Sequence, residues 1–350
     1  MSFTGCLRIL LVFILFLSIT LVFVGCAQNN TTININSQRP NYNNIYGFAH
    51  SNFWVDKQTV YYSKSGFYNN TYYQLDNNGR QVITTDNAFK TNVANNSDGE
   101  IIGGIQAYEN NVFFWYANET GQRELYRYDN TDKSFEKLIS VSEKVNDWAI
   151  VNDIVVYSTF CDEDDIDINS LWFCDFKSGT PQKIANKTSA FGICGNKVRY
   201  VENAYAGESV LYEFDLEIRE SVLLSSFNGS NDGYNPYNFT EKHIVFISDR
   251  LHIVEVKTGE QIEFDLPGQV KFFNCYKDYI FVCSDTDIYR INVSTGEFEL
   301  LCKMRNECNL LYAISDECVI GIFYDSSSIT INVEVYAVYA NGNSEKLFNI

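Results

Sequence analysis

The sequence predicts an all-β protein: a β-propeller of seven four-stranded blades, with six blades as the alternative count. Three observations carry that expectation. A five-residue pattern (an apolar residue, a ring, a variable position, an apolar residue, then Asp, Glu or Asn) returns seven times along the chain. Such self-similarity marks supersecondary units that cannot bury their apolar faces alone. Ahead of each copy stands a run of β-branched and aromatic residues bounded by polar turn residues, the pattern of a strand buried on both faces. No helical period of comparable strength appears after the N-terminal segment.

In chain order, residues 1–25 read as a signal peptide and are set aside from the fold. Arg8 supplies a thin positive start, and Ile9 to Val24 form an apolar run of 16 residues. Phe23-Val24-Gly25-Cys26 follows. It resembles the bacterial lipobox, although Phe23 replaces the usual Leu, and the resemblance implies that Cys26 is lipidated and begins the mature protein. The competing expectation is an uncleaved signal anchor. Both put the remainder on the extracytoplasmic side of the cell membrane, held by an anchor and not by a channel. Residues 26–48, the lipidated cysteine and an Asn-rich stretch with little apolar content, read as a flexible tether. Residues 49–350 hold the propeller.

The pentamers, Tyr72–Asp76, Leu125–Asp129, Leu171–Asp175, Leu211–Asp215, Leu251–Glu255, Ile288–Asn292 and the degraded Val335–Tyr339, are taken as third strands, C. The preceding runs, strands B, begin at Val60, Val112, Ile154, Val198, Ile244, Ile280 and Val319, at intervals of 52, 42, 44, 46, 36 and 39 residues. Seven residues before each stands a position held by Phe53, Ile105, Asp147, Phe191, Tyr237, Phe273 and Tyr312. It marks a first strand, A, whose rings are expected to pack between blades. Turns such as Asn152-Asp153 and Ser178-Gly179 separate the strands, since Asn, Asp and Gly tolerate the left-handed backbone of tight hairpins. A fourth strand, D, closes each unit, as in Lys137-Leu138-Ile139. Four antiparallel strands in a unit of about forty residues describe a propeller blade.

The segment Asn110 to Ile139, with Val-Phe-Phe-Trp-Tyr, Leu-Tyr-Arg-Tyr-Asp and Lys-Leu-Ile in succession, resembles a repeat of an uncharacterised bacterial lipoprotein propeller family related to TolB-like and YWTD-type propellers. The YWTD tetrapeptide itself is missing. The resemblance implies a fold and a cell-surface setting and leaves the function open.

The formal net charge of −18 repels phosphate, so nucleic acid is excluded as a partner, and no basic block favours anionic lipid. The three histidines, His50, His243 and His252, offer no base–nucleophile pair at a recognisable spacing. His252 stands where Tyr or Trp stands in other pentamers and reads as an aromatic substitute. No nucleophile elbow, phosphate loop or dinucleotide fingerprint occurs. The last blade runs to the end of the chain, leaving no room for the catalytic domain that accompanies some peptidase propellers. The acidic run Asp162–Asp167 lacks the Gly of a calcium loop and reads as solvated. Eight cysteines remain after Cys6 and Cys26, without Cys-x-x-Cys spacing; mostly reduced thiols acting as small hydrophobes are expected. No cofactor, metal or catalytic residue is therefore expected.

Loop length points to a working face. Connections D-to-A and B-to-C leave one face of a propeller, and the long excursions (residues 84–104, 159–170, 202–209, 225–235 and 324–331) all belong to them. Function concentrates on loops carried by a rigid scaffold. The expectation is a non-catalytic, envelope-tethered binding or scaffold module that recognises a protein or glycan through this face. Asp147, Trp148, Tyr205, Tyr234 and Tyr237 are the candidate contacts. A carbohydrate-active propeller enzyme, a glycosidase or lyase, is the alternative, and it needs carboxylates converging near the axis.

Overall fold

A computed structural model describes residues 53–349, apart from 57–58, 67–68, 77–78, 86–88, 90–98, 109–110, 130, 161–168, 204–206, 230–236, 249, 314 and 326–331. The described residues belong to one compact unit, Ile35–Ile350. Cys26 and both N-terminal segments lie outside them.

Among the described residues every regular element is a strand, and the strands form seven four-stranded sheets. Blade 1 is Phe53–Asp56, Thr59–Gly66, Asn69–Asp76 and Gly79–Thr85. Blade 2 is Glu100–Tyr108, Asn111–Ala117, Arg123–Asp129 and Phe135–Val141. Blade 3 is Val145–Val151, Ile154–Phe160, Asn169–Asp175 and Gln182–Thr188. Blade 4 is Ala190–Cys194, Lys197–Asn203, Glu208–Asp215 and Glu220–Asn228. Blade 5 is Tyr237–Phe239, His243–Ile247, Leu251–Glu255 and Gln261–Phe264. Blade 6 is Val270–Tyr276, Tyr279–Ser284, Asp287–Asn292 and Phe298–Lys303. Blade 7 is Glu307–Ala313, Cys318–Asp325, Asn332–Tyr339 and Ser344–Asn349. Within each sheet the strands lie in chain order, so no blade takes a strand from elsewhere. The pentamers are third strands, as their pattern predicts.

The turns on the short-connection side use the left-handed backbone their residues favour. Asn152 and Lys277 in A-to-B turns, and Gly179, Gly259, Gly296 and Gly342 in C-to-D turns, all have positive φ. Core packing lies between blades. Phe113, Trp115 and Leu125 of blade 2 meet Trp148, Ile150 and Tyr157 of blade 3. Phe227 and Leu211 of blade 4 meet Tyr237 and Phe246 of blade 5. The recurring first-strand ring does what packing requires at Phe191, Tyr237 and Phe273, each buried in such a seam.

In blade 3 the recurring position is displaced by one residue. Tyr237 pairs with Phe246, and Trp148 pairs with Tyr157 at the corresponding place, so Trp148 and not Asp147 holds it. The cause is register. Ile154 pairs with the terminal acid of its pentamer, Asp175, whereas Val198 and Ile244 pair one residue earlier, with Phe214 and Val254. A slip of one residue exchanges the faces of a strand.

The first strand of each blade is an edge strand of its sheet, and in blades 3 and 7 a side chain of the preceding blade bonds to its backbone. Gln106 of blade 2 donates from Nε2 to the Trp148 carbonyl (2.5 Å) and accepts from the Ile150 N–H (3.0 Å) in blade 3. Asn274 of blade 6 accepts from the Ala313 N–H of blade 7 at 3.0 Å. Asn238 holds the same register position in blade 5, is fully buried, and has no hydrogen-bond partner for either amide atom among the described residues. Between blades 4 and 5 a buried ion pair takes this role. Arg199 pairs with Glu213 (3.0 Å) and donates across the seam to the Thr240 and Glu241 carbonyls.

Among the described residues Cys174, Cys275, Cys283, Cys302 and Cys318 are free thiols. Burial pushes the thiols of Cys174, Cys194 and Cys302 up to about 11 and that of Cys318 to about 12. They remain protonated and pack as small apolar groups.

Candidate functional site

Blade 5 differs from the others in one backbone detail. In six blades the pairing of strands C and D shifts at the second pentamer residue: Tyr73, Tyr126, Trp172, Tyr212, Tyr289 and Tyr336. Blade 5 has no shift, and its fourth strand is four residues long where the others run to between six and nine. His252 lies directly across from Glu263. A cavity of about 380 Å³ opens there, lined by Asn228, Gly229, Phe246, Ser248, His252, Gln261 and Glu263.

Inside it the His252 ring is buried and stacks on Phe246, with centroids 4.7 Å apart and planes 11° from parallel. The stacking meets the expectation of an aromatic substitute. The hydrogen bonds go beyond it. His252 Nε2 lies 2.7 Å from Ser248 Oγ, Nδ1 lies 2.8 Å from the Gln261 amide, and Glu263 Oε1 is 3.7 Å from Nδ1. Arg250 steadies Glu263 (3.2 Å) and also reaches Asp265 (3.1 Å). A hydroxyl bonded to an imidazole whose far nitrogen meets a third polar group is the general signature of an activated nucleophile. The sequence alone does not single out this Ser248–His252 contact, which shows there as His at a ring position four residues after Ser248 in the shortest repeat.

The candidate contacts distribute as follows. Asp147 lies in the first strand of blade 3; its Oδ1 accepts from the Trp148 N–H at 2.8 Å, and its own N–H donates to Ser158 Oγ at 3.2 Å. Burial pushes its pKa up to about 6, against the smaller opposing effect of the Trp148 hydrogen bond. Trp148 is buried in the seam of blades 2 and 3, edge-on to Trp115. Tyr237 is buried against Phe227 and Phe246 in the seam of blades 4 and 5, behind the wall of the cavity. Packing occupies both of these rings. Tyr205, Tyr234 and the acidic run Asp162–Asp167 lie outside the described residues, as does part of each long excursion. Among the described residues no cluster of three or more His, Cys, Asp or Glu is arranged to hold a metal.

No family model matches the sequence, and no curated protein matches it. Solved structures do match. The β-propeller domain of the trilobed protease from Pyrococcus furiosus aligns with TM-score 0.59 and 13% identity, over 86% of this chain and 98% of that one. An acylaminoacyl peptidase from Pyrococcus horikoshii aligns with TM-score 0.59 and 13% identity, over 89% of this chain and 54% of that one. A prolyl endopeptidase aligns with TM-score 0.61 and 10% identity, over 86% of this chain and 50% of that one. The chain thus spans about half the length of these two complete peptidases. The comparisons overturn the expectation of a non-catalytic protein- or glycan-binding module and do not favour its carbohydrate-active alternative: the three propellers aligned above belong to proteolytic enzymes. The exclusion of that class rests on where the chain stops, which carries no such information. At these identities the likeness establishes the fold, a β-propeller of the type found in prolyl and acylaminoacyl peptidases.

Proposed function

We propose that this chain is a protease-related propeller that receives peptide chains on its long-loop face for hydrolysis. The observation that supports the reading is the blade-5 cavity. It opens on that face, in a fold shared with peptidase propellers, and it combines an apolar floor at Phe246 with hydrogen-bonding groups at Asn228, Ser248, Gln261 and Glu263. An extended peptide presents alternating apolar and amide groups, which such a surface accommodates. In the same reading the chain is a lipoprotein of the TolB-like and YWTD-like kind, anchored through Cys26 outside the cytoplasmic membrane.

The test is titration of full-length protein into fluorescent peptides derived from an unfolded protein, with the folded parent protein and soluble glycans as competitors. Saturable binding of the peptides, with slowed hydrogen exchange over residues 246–252, is expected. Absence of peptide binding, or protection confined to the A-to-B and C-to-D turns, refutes the proposal.

A further inference from the structure

We propose that Ser248 is a nucleophile activated by His252, and that the blade-5 cavity is an acyl-transfer site for a short acyl group presented as an ester or peptide bond. The inference stands on the geometry of the cavity and does not require the peptide-receiving role. Ser248 is exposed at the rim, within hydrogen-bond reach of a buried imidazole that the Phe246 stack holds in one orientation. A fixed base and an accessible hydroxyl are the two parts nucleophilic catalysis requires. The volume of about 380 Å³ falls toward the lower end of the roughly 300–1,000 Å³ usual for ligand pockets, which suits a small acyl group.

For Nε2 to accept the Ser248 proton, the ring must carry its own proton on Nδ1. Glu263 offers Nδ1 an acceptor in Oε1 at 3.7 Å, and Gln261, whose Nε2 stands 2.8 Å from Nδ1, becomes an acceptor when its amide is turned over. An amide accepts or donates according to which way it is turned. As Ser248 Oγ bonds to the carbonyl carbon, its proton passes to His252 Nε2 and the carbonyl electron pair moves onto oxygen. Asn228, on the cavity wall, carries an amide NH₂ suited to that oxyanion. When the adduct collapses, the bond to the alcohol or amine breaks and that group leaves with the proton from Nε2. Water then attacks the acyl-serine, giving its proton to Nε2. The carboxylic acid departs and Ser248 recovers its hydrogen.

The geometry is confined to blade 5. Elsewhere Tyr or Trp occupies the ring position, across from Lys137, Lys183, Leu223 and Leu300.

The experiment treats full-length protein with a fluorophosphonate probe, whose phosphorus is attacked by an activated serine with loss of fluoride, and locates the adduct by peptide mapping. One adduct on Ser248 is expected. It should vanish in Ser248→Ala and form at least about 100-fold more slowly in His252→Phe, since a positioned general base contributes roughly 10²–10⁴. His252→Phe keeps a ring stacked on Phe246 and removes only the base; unchanged melting confirms that it folds. No adduct in the unmodified protein, an adduct elsewhere, or an unchanged rate in folded His252→Phe overturns the proposal. Should His252→Phe not fold, His252→Gln takes its place. If neither variant folds, the mapped adduct and its loss in Ser248→Ala decide. A protein that binds unfolded peptides but takes no probe sinks the nucleophile alone, and a labelled protein that binds no peptide sinks only the peptide-receiving role.

Discussion

Gln106 and Asn238 occupy one position in two blades, yet removing their amides should move stability in opposite directions. Gln106→Met takes away both bonds to blade 3 and leaves the Ile150 N–H and the Trp148 carbonyl without these partners. Each lost bond is worth about 0.5–1.5 kcal/mol net, and stranding a buried group adds to the loss, so about 2–4 kcal/mol is expected. Asn238→Leu removes two buried polar atoms that have no hydrogen-bond partner among the described residues and supplies an apolar group of nearly the same size. Recovering their desolvation should stabilise the fold by about 1–2 kcal/mol. For a domain of about 300 residues the unfolding entropy is about 0.6 kcal/mol/K, so the shifts in Tm are about −3 to −6 °C and about +2 to +3 °C. Urea unfolding at constant m-value, with calorimetry in parallel, reads both. A destabilising Asn238→Leu would mean that this amide has a partner in solution and would refute the reasoning from register. A neutral Gln106→Met would show that the seam of blades 2 and 3 does not depend on its hydrogen bonds.

Two further outcomes are expected. The pKa of Asp147 is raised from near 4 to about 6 by burial. The native state then holds a proton that the unfolded chain has lost, and stability falls as pH rises through this window. The loss amounts to at most about 3 kcal/mol above it, at about 1.4 kcal/mol per unit. Asp147→Asn should be the more stable protein at pH 7 and should abolish that part of the slope; parallel curves between pH 4 and 6 would contradict it. Cys26→Ser should lose metabolic lipid labelling and membrane retention, and identical partitioning of mutant and parent would remove the lipoprotein reading.

The architecture was legible because a propeller repeats one solution to one packing problem. The pentamer marks strand C in every blade, even in the degraded copy at Val335, which keeps the ring at Tyr336 but ends in Tyr339. What failed did so at the level of a single residue. The seven-residue spacing assigned the packing position of blade 3 to Asp147, because Ile154 begins its run one place earlier in register than Val198 or Ile244 do in theirs. The Ser248–His252 pair was hidden for a related reason. His252 matches the pentamer as a flat ring, and its nitrogens meet Ser248 and Gln261 only once the strands are folded. Side-chain type is written in the sequence, whereas a register shift between two strands depends on how the whole blade is seated.

The order of strands within the sheets bears on how the chain comes to be folded. Each sheet is made from four consecutive strands, so among the described residues every backbone ladder closes within a few tens of residues. Loop closure over such short spans costs little entropy, and local topologies form faster than those that wait for distant segments. A blade can therefore assemble as soon as its own residues have emerged, using the previous blade as a template for its apolar face. Growth is directional, and the unit most exposed at each moment is the newest one. Blade 5 enters that sequence with the shortest first and fourth strands, and it gains a covered second face only when Phe273, Cys275 and Val282 of blade 6 arrive against Val245 and Ile253.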